Sequence, residues 1–372
     1  MKPTRLLGLY IHIPFCKAKC VYCDFYSLPH SEERMDDYTG ALCAHLTETA
    51  PFAAAYTVDT VYFGGGTPKL LGADRLAALL NQASRAFSVQ PGAEITAEAN
   101  PTHVDRAFFE ALAKAGFNRL SMGLQSANEE ELRLLGRRHT PQDAAEAVEA
   151  ARAAGFRNIS LDLMLGLPGG SEDKLRRSIE FAAALDVEHI SSYLLKVEEG
   201  TPFAAGGIQA LEEDEAADQY LFCVEELEKH GYLQYEISNF AKPGRESRHN
   251  LVYWHGEEYL GFGPGVHSFY RGKRFYYPRS LAAFLKGEQP LPDGEGGGLE
   301  EFAMLNLRLT EGLRKSDCEK RFGAAGRAAF EKMEERAALC PAGLVKLDGK
   351  RIAFTPEGFL VSNALLLRLL EE

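Results

Sequence analysis

The chain has 372 residues, a formal net charge of −12, 45% hydrophobic and 25% charged residues. This is the composition of an ordinary folded protein, and the length allows one large domain and a smaller one. The acidic balance argues against a general nucleic-acid binder, and no stretch reaches the roughly 18 apolar residues of a membrane-spanning helix. Because the sequence begins without a signal-peptide pattern, we expect a cytoplasmic protein that is not an integral membrane protein.

Strand-like and helix-like segments alternate up to about residue 232. Strands are predicted before Pro14 and at 58–63, 94–98, 119–124, 158–165 and 189–197, and helices at 33–50, 74–87, 105–115, 128–135, 141–154, 172–185 and 212–230. Units of this kind, with mostly apolar strands, predict a parallel sheet covered by helices. The order alone allows either an open doubly wound sheet or a partial (β/α) barrel.

Two observations favour the barrel. Chemically suggestive residues follow the carboxyl ends of the strands, where barrel proteins place their sites. The first strand–helix turn holds cysteines instead of the G-x-G-x-x-G pattern of a dinucleotide-binding fold. The predicted fold class is therefore α/β, with a partial (β/α)6 TIM-like barrel over residues 1–232.

The alternation changes after residue 232. A strand at 233–240 and a loop-rich stretch at 241–275 predict a barrel extension and junction over residues 233–290. The stretch 290–298, with Gly296-Gly297-Gly298, is interpreted as a flexible linker. A smaller C-terminal α+β module over 291–372 is then predicted from helices at 299–309, 316–322, 324–337 and 356–370 and a hairpin at 344–347 and 351–354. Helices followed by a hairpin resemble a winged helix, which we interpret as a protein-contact or lid module.

Cys16, Cys20 and Cys23 follow the first strand with C-x3-C-x2-C spacing. Seven cysteines, three of them clustered, do not suggest a disulfide framework. Structural zinc sites are closed by four ligands, usually in two pairs; no second pair exists, and His12 and His30 do not stand at a usual zinc spacing. Three thiolates would leave one iron of a [4Fe–4S] cluster open to a small molecule. The spacing favours the cluster over zinc.

Further candidates follow other strands. Gly64-Gly65-Gly66-Thr67-Pro68 ends the second strand, where backbone without side chains can approach a ligand closely; a plain turn is the simpler interpretation. Glu98, Gln125 and Asp162 follow three successive strands, and Arg137 lies beyond Gln125. Each alone would pass as a surface residue, but together they predict a polar pocket mouth.

At the cysteine motif, with aromatic Tyr22 between the last two cysteines, the sequence resembles the radical S-adenosylmethionine (SAM) superfamily. The resemblance implies that the three cysteines hold a [4Fe–4S] cluster and that SAM chelates its open iron. Four motifs narrow this resemblance to the HemN/HemW group. They are Tyr10-x-His12-Ile-Pro-Phe-Cys16, Phe63 to Pro68, Gly123-Leu-Gln125 and Asp162 to Pro168. Carried over by motif, the residues that line SAM would be Tyr10, Tyr22, Gly65, Gly66, Thr67, Glu98, Gln125, Arg137 and Asp162.

Two features separate this sequence from the oxygen-independent coproporphyrinogen oxidases of that group. The oxidases carry a further cysteine where Phe25 stands, and a longer extension than the nine residues that precede Tyr10. The Cys-Asp-Phe ending and the element His249-Asn250-Leu-Val-Tyr253-Trp254 instead match the heme chaperones of the HemW family. That resemblance implies heme as a ligand and heme-accepting proteins, such as membrane-associated respiratory proteins, as partners.

The stretch 242–279 offers some support for heme that does not depend on the resemblance. It holds seven basic residues against three acidic ones, the single Trp, and His249, His255 and His267. Cations can pair with propionates, aromatics can pack on a macrocycle, and His249 is the candidate axial ligand. The simpler interpretation is that these residues pack a domain junction. The absence of C-x-x-C-H makes any heme non-covalent.

The sequence therefore predicts a heme chaperone that binds non-covalent heme near 249–270 and carries a SAM-ligated [4Fe–4S] cluster. Two alternatives are enzymes: an oxygen-independent coproporphyrinogen III oxidase, which decarboxylates oxidatively, or another radical SAM enzyme acting on a tetrapyrrole. A zinc-stabilised scaffold is the third alternative. Whether the protein acts as an enzyme is left open.

Overall fold

The computed structural model describes residues 5–102 and 105–371. Its strands are β1 (Arg5–Ile13), β2 (Phe15–Cys16), β3 (Leu28–Pro29), β4 (Tyr56–Gly65), β5 (Val89–Ala99), β6 (Arg119–Gln125), β7 (Ile159–Leu165), β8 (His189–Leu194), β9 (Leu233–Glu236), β10 (Asn239–Ala241), β11 (Tyr259–Phe262), β12 (His267–Tyr270), β13 (Lys273–Tyr276), β14 (Leu291–Glu295), β15 (Leu313–Arg314), β16 (Val345–Leu347) and β17 (Arg351–Phe354).

Helices connect most of these strands. They are α1 (Met35–Thr49), α2 (Pro68–Leu71), α3 (Ala73–Ala86), α4 (Arg106–Ala115), α5 (Glu129–Leu134), α6 (Pro141–Ala153), α7 (Glu172–Ala184), α8 (Pro202–Ala205), α9 (Glu213–Lys229), α10 (Arg248–Trp254), α11 (Leu281–Leu285), α12 (Leu299–Asn306), α13 (Lys315–Ala337), α14 (Pro356–Leu360) and α15 (Ser362–Leu370). Short 3-10 turns cover Glu32–Arg34 and Ala50–Ala53.

The main sheet is built on six parallel strands in the order β1-β4-β5-β6-β7-β8. Strands β10 and β9 continue it antiparallel beyond β8, and β11, β12, β13 and β14 continue it beyond β1. Among the described residues, β9 and β14 do not pair with each other, so the sheet stays open. The predicted partial (β/α)6 barrel is confirmed.

The helices begin and end where local sequence signals place them. The Asp105 side chain accepts a hydrogen bond from the Phe108 N–H at the start of α4, and Gly116 ends the helix in the left-handed region at φ 110°. Thr140 and Asp143 form a capping box at the start of α6. Such caps satisfy backbone groups that a helix end leaves unpaired, and the apolar helix faces then cover the outside of the sheet.

The region after residue 232 is more regular than predicted. The single strand predicted at 233–240 is two short antiparallel strands, β9 and β10, and the loop-rich stretch 241–275 contains α10, β11, β12 and most of β13. The flexible linker predicted at 290–298 is also wrong, because Leu291–Glu295 is an edge strand paired with β13. Strands of three to five residues give too short a pattern for sequence periodicity to detect.

The C-terminal module matches its predicted elements closely. Helix α12 precedes β15, and α13 is broken at Gly323, whose φ of 65° and ψ of −147° are not helical. The hairpin β16–β17 joins β15 in a small three-stranded sheet, and α14 and α15 replace the single final helix that was predicted. The winged-helix-like arrangement is confirmed, while the domain limits at 232 and 290 stay predictions.

Candidate functional site: a cysteine-lined cavity in the partial barrel

The carboxyl ends of the parallel strands open into a cavity of about 660 Å³. This volume lies in the usual range of small-molecule sites. The predicted residues that line it are Cys16, Cys20, Tyr22, Cys23, Gly65, Gly66, Thr67, Glu98, Gln125, Arg137 and Asp162. The structure therefore brings together all the predicted cluster and SAM residues except Tyr10.

Cys16 ends β2, and the loop from β2 to β3 carries Cys20 and Cys23, so that all three cysteines line this cavity. The Cys23 N–H donates to the Cys20 carbonyl at 3.2 Å, which folds the middle of the loop into a turn, and the Phe203 N–H donates to the Val21 carbonyl at 3.0 Å. Beneath the loop lies an apolar cluster separate from the main core, formed by Leu135, Leu167, Leu195 and Phe203 with Val21 and Tyr22 packed against it. The loop is therefore held by apolar packing that is separate from the main core.

The three thiols are available as ligands of a metal centre. Cys16, Cys20 and Cys23 are free and partly buried, and among the described residues no three His, Cys, Asp or Glu side chains converge to hold one metal ion. In a [4Fe–4S] cluster each cysteine ligates a different iron, so the three sulfur atoms need not meet at a point. The Arg137 guanidinium donates a hydrogen bond to the Cys20 sulfur at 3.5 Å.

The glycine run packs directly against residues 12–15, which lead into the cysteine loop. The Gly66 N–H donates to the Ile13 carbonyl at 2.9 Å, and the Thr67 N–H donates to the Phe15 carbonyl at 2.7 Å. A Cβ on Gly65 would lie 2.2 Å from the His12 ring, and one on Gly66 would lie 2.7 Å from two backbone oxygens. The glycines are therefore needed for the close approach of two backbone segments at the site.

Two partly buried carboxyl groups also line the cavity. Glu98 accepts hydrogen bonds from the Tyr62 hydroxyl at 2.9 Å and the Gly65 N–H at 3.0 Å, and Asp162 accepts one from Ser121 at 3.4 Å. Burial raises the pKa of Glu98 to about 7 and that of Asp162 to about 6. Burial disfavours the charged form of a carboxyl group, and a nearby cation favours it. A cationic ligand bound beside Glu98 and Asp162 would therefore promote their ionisation.

Arg137 and Gln125 lie together beside Gly123, at the carboxyl end of β6. Arg137 donates to the Gly123 carbonyl at 2.7 Å as well as to Cys20, and its buried Nε has no partner. Gln125 has a positive φ of 68°, where β6 shifts its register against β7. Such an irregularity re-aims a side chain at the end of a strand. An unpaired buried donor and an amide beside it suit a polar ligand.

The two aromatic residues predicted near SAM have different positions. Tyr22 lines the cavity, and burial raises the pKa of its hydroxyl. Tyr10 lies behind the cavity wall, stacked on Tyr62 with ring centroids 6.0 Å apart, and its hydroxyl is 3.2 Å from Nδ1 of His12. In this structure Tyr10 supports the wall rather than lining the cavity.

The sequence prediction missed a buried arginine in the cavity wall. Arg119 is 2% exposed, lines the cavity, and its Nε has no hydrogen-bond partner. Burial raises the pKa of Glu98 and of Asp162, and the charge of Arg119 lowers both values by a smaller amount. Alternation along β6 could have revealed it, because Arg119, Ser121 and Gly123 occupy every second position between apolar residues.

The predicted heme residue, His249, lies outside the cavity lining. It is 1% exposed, with Nδ1 2.8 Å from the Thr60 hydroxyl and Nε2 2.8 Å from the Tyr253 hydroxyl. Burial lowers its pKa to about 3, which keeps the ring neutral. Axial ligation by His249 stays a prediction that this geometry does not favour, because iron would have to replace one of these hydrogen bonds.

The basic stretch 242–279 is mostly neutralised within the protein. Five of its cations form ion pairs: Lys242 with Asp186, Arg248 with Asp59, Lys273 with Glu295, Arg274 with Glu301 and Arg279 with Asp24. His255 lies 3.7 Å from Glu311 and His267 lies 3.4 Å from Asp293. The contacts support the simpler interpretation of this stretch, in which its residues pack a junction.

Comparisons with known proteins identify the family of this chain. The model of the radical SAM superfamily matches residues 10–182, and the model of the HemN C-terminal domain matches residues 298–361. The fold and the matched family models are those of a radical SAM protein of the HemN/HemW group.

Individual relatives narrow the family to which the chain belongs. The chain is 38% identical to the heme chaperone HemW of Mycobacterium tuberculosis over 99% of its own length and 96% of that protein. It is 40% identical to the heme chaperone HemW of Escherichia coli, covering 82% of this chain and 83% of the other. The chain belongs to the HemW family.

Among solved structures, the coproporphyrinogen III oxidase HemN of Escherichia coli has a similar fold. The TM-score is 0.84 at 24% sequence identity, and the match covers 99% of this chain and 90% of that one. At this identity the likeness establishes the fold alone. Separately, none of the helices in residues 5–102 and 105–371 has the length and apolar character needed to cross a membrane.

Proposed function

We propose that the protein is a heme chaperone, which binds heme non-covalently and passes it to acceptor proteins. Cys16, Cys20 and Cys23 would hold a [4Fe–4S] cluster, with SAM bound at its open iron. The observation that carries this proposal is the single cavity in which the three cysteines meet Glu98 and Asp162, in a chain whose full-length relatives are named heme chaperones.

Several residues of this chain would hold SAM. Glu98, Asp162, Arg137, Gln125 and Tyr22 line the cavity. The two carboxyl groups would face the cationic groups of SAM, Arg137 and Gln125 would donate to its carboxylate and hydroxyls, and Tyr22 would offer an aromatic face. When bound, the cluster would supply an electron to SAM or hold SAM without reaction, and these residues would bind and orient SAM in either case. The seven free cysteines suit a reducing compartment, and we propose the cytoplasm.

The test is hemin binding by protein whose cluster has been assembled under anaerobic conditions. A saturable Soret band with one hemin per chain is the expected result. Unsaturable broadening over the same range of hemin concentration would remove the chaperone proposal. Iron and sulfide analysis of the same sample decides between the cluster and the zinc alternative, since a colourless protein with one zinc would exclude the cluster.

The second candidate is a radical SAM enzyme that acts on a tetrapyrrole, such as a coproporphyrinogen III oxidase. One observation favours it: the predicted SAM residues Glu98, Gln125, Arg137 and Asp162 all line the same cavity as the cysteines, so a SAM-cleaving site could still form. Incubation with coproporphyrinogen III, SAM and a reductant, followed by product analysis, separates this candidate from the chaperone.

A further inference from the structure

Apolar side chains are exposed at the rim of the SAM cavity. Phe25 is 66% exposed, Tyr193 42% and Leu194 40%, and all three line the cavity. Exposed apolar groups around one concave site typically mark a binding surface. Phe25 follows Cys23 by two residues, so this surface lies beside the cysteine loop.

Cations stand at the same rim. Lys19, Lys196 and Arg279 line the cavity together with Asp24 and Glu198. Arg279 pairs with Asp24 at 3.2 Å, and Lys196 pairs with Glu198 at 2.8 Å, with the two cations 61% and 80% exposed. Ion pairs this exposed are weak, so a carboxylate of a bound ligand can replace Asp24 on Arg279.

We propose that heme binds across this rim, which we define as Lys19, Asp24, Phe25, Tyr193, Leu194 and Arg279. This inference rests on the proposed function and names the place where the heme binds. The macrocycle would pack on Phe25, Tyr193 and Leu194, and the propionates would pair with Lys19 and Arg279. A flat apolar disc with two carboxylates at one edge has the chemistry that this combination of groups complements.

The rim differs from the heme position predicted from sequence. The 249–270 stretch offers His249, which is buried and hydrogen bonded at both ring nitrogens. Among the described residues that line the cavity there is no histidine. Binding at the rim therefore depends on macrocycle packing and propionate pairing, and His249→Gln should leave the Soret titration unchanged.

The experiment is a hemin titration, followed by Soret absorbance, of the full chain loaded with cluster and SAM. Phe25→Ala should weaken hemin binding about tenfold, the effect of losing one aromatic contact. Phe52→Ala is the matched control, since Phe52 is 67% exposed and lies outside the cavity lining. Lys19→Glu should weaken binding about fivefold, while Lys346→Glu, on the exposed C-terminal hairpin, should not.

Asp24 provides a test in the opposite direction. Asp24→Asn removes the anion that competes with the propionate for Arg279, so hemin binding should strengthen about threefold. With hemin dimethyl ester, whose propionates are blocked, both Asp24→Asn and Lys19→Glu should bind like the wild type. The Phe25→Ala effect should persist with the ester, because it depends on the macrocycle.

The outcomes separate the two levels of the proposal. A wild-type protein without a saturable Soret band contradicts the proposed function itself. A saturable wild type whose Phe25→Ala and Lys19→Glu variants match their controls overturns the rim site alone. Loss of the band in His249→Gln with intact rim variants would overturn it as well, and would place the heme at the 249–270 stretch.

Discussion

The Glu98 carboxylate accepts a hydrogen bond from the Gly65 N–H at 3.0 Å. This bond joins the glycine run at the end of β4 to the carboxyl group near the end of β5. Gly65 itself lies against the His12 ring, where no Cβ fits. Glu98 and Gly65, which looked independent in the sequence, are therefore in direct contact. The same glycine contacts Glu98 on one side and His12, just before the cysteine loop, on the other.

Cysteine substitutions should separate the cluster ligands from the structural thiols. Changing any one of Cys16, Cys20 or Cys23 to Ser should abolish the uptake of about four iron atoms per chain that a [4Fe–4S] cluster requires. Cys340→Ser is the control, because Cys340 is a free, partly buried cysteine outside the cavity lining. Iron and sulfide analysis after anaerobic reconstitution is the measurement. Full iron content in a Cys20→Ser variant would contradict the assignment.

The affinity for SAM should depend on pH through Glu98. Because its pKa is raised to about 7, Glu98 must lose a proton when the cationic sulfonium binds. Affinity should therefore rise with pH up to about 7, by as much as about tenfold per pH unit where one proton is released, and level off above. Asp162, with a pKa of about 6, extends the rise to lower pH.

Glu98→Gln keeps an acceptor for Gly65 and Tyr62 but cannot ionise. It should bind SAM more weakly at pH 8 and lose the rise between pH 6 and 8, whereas Glu110→Gln, on the exposed face of α4, should keep it. Calorimetric titrations at several pH values measure this. Parallel curves for wild type and Glu98→Gln would show that Glu98 does not titrate with the ligand.

The same substitution should change the stability of the unliganded protein in a pH-dependent way. A carboxyl group with a raised folded-state pKa stabilises the fold fully below its unfolded value of 4.5, and this contribution is lost as the pH rises through about 7. Glu98→Gln should therefore gain stability relative to the wild type between pH 5 and pH 8.5. Denaturant unfolding at the two pH values is the measurement, and a constant difference would argue against a raised pKa for Glu98 in the folded protein.

Arg119 should act on the two carboxyl groups from the cavity wall. Its charge lowers the pKa of Glu98 and of Asp162, so Arg119→Met should raise both values. The pH at which SAM affinity levels off should then move upward. The substitution should lower the affinity less at pH values well above this midpoint than at pH values near it. Arg106→Met, on the exposed part of α4, is the control. An unchanged pH midpoint with a uniform loss of affinity would indicate that Arg119 contacts the ligand directly.

Two glycines with positive φ should respond differently to alanine. Gly65 has φ 108° and would place a Cβ 2.2 Å from His12, whereas Gly92 has φ 81° with open space around it. Gly92→Ala should cost about 1 kcal/mol from backbone strain, and Gly65→Ala about 3 kcal/mol or more, because the ring must also move. Denaturant unfolding measures both, and equal losses would contradict the close packing under the cysteine loop.

Much of the fold and the inner site could be predicted from the sequence, for identifiable reasons. The six strand–helix units repeat one pattern over 200 residues, and parallel strands bring their carboxyl ends to one edge. Cys16, Glu98, Gln125 and Asp162 therefore meet in the cavity although they are far apart in the chain. The cysteine spacing within one loop needs no long-range contact to be recognised.

The remaining features depend on long-range contacts that spacing does not encode. Arg248 and Arg274 looked available to an anion, but Asp59 and Glu301 neutralise them from other parts of the chain. His249 looked like a ligand, and its hydrogen bonds to Thr60 and Tyr253 appear only in the folded chain. The strand at 291–295 was hidden by its glycine and proline, which an edge strand tolerates.

The central claim is that this protein carries heme and does not consume a porphyrinogen. The measurement that tests it most directly is product analysis after anaerobic incubation of the cluster-loaded protein with SAM, a reductant and coproporphyrinogen III. We expect coproporphyrinogen III to be recovered unchanged by protein that binds one hemin per chain. Formation of decarboxylated porphyrinogen together with 5′-deoxyadenosine would contradict the account and identify an oxidase.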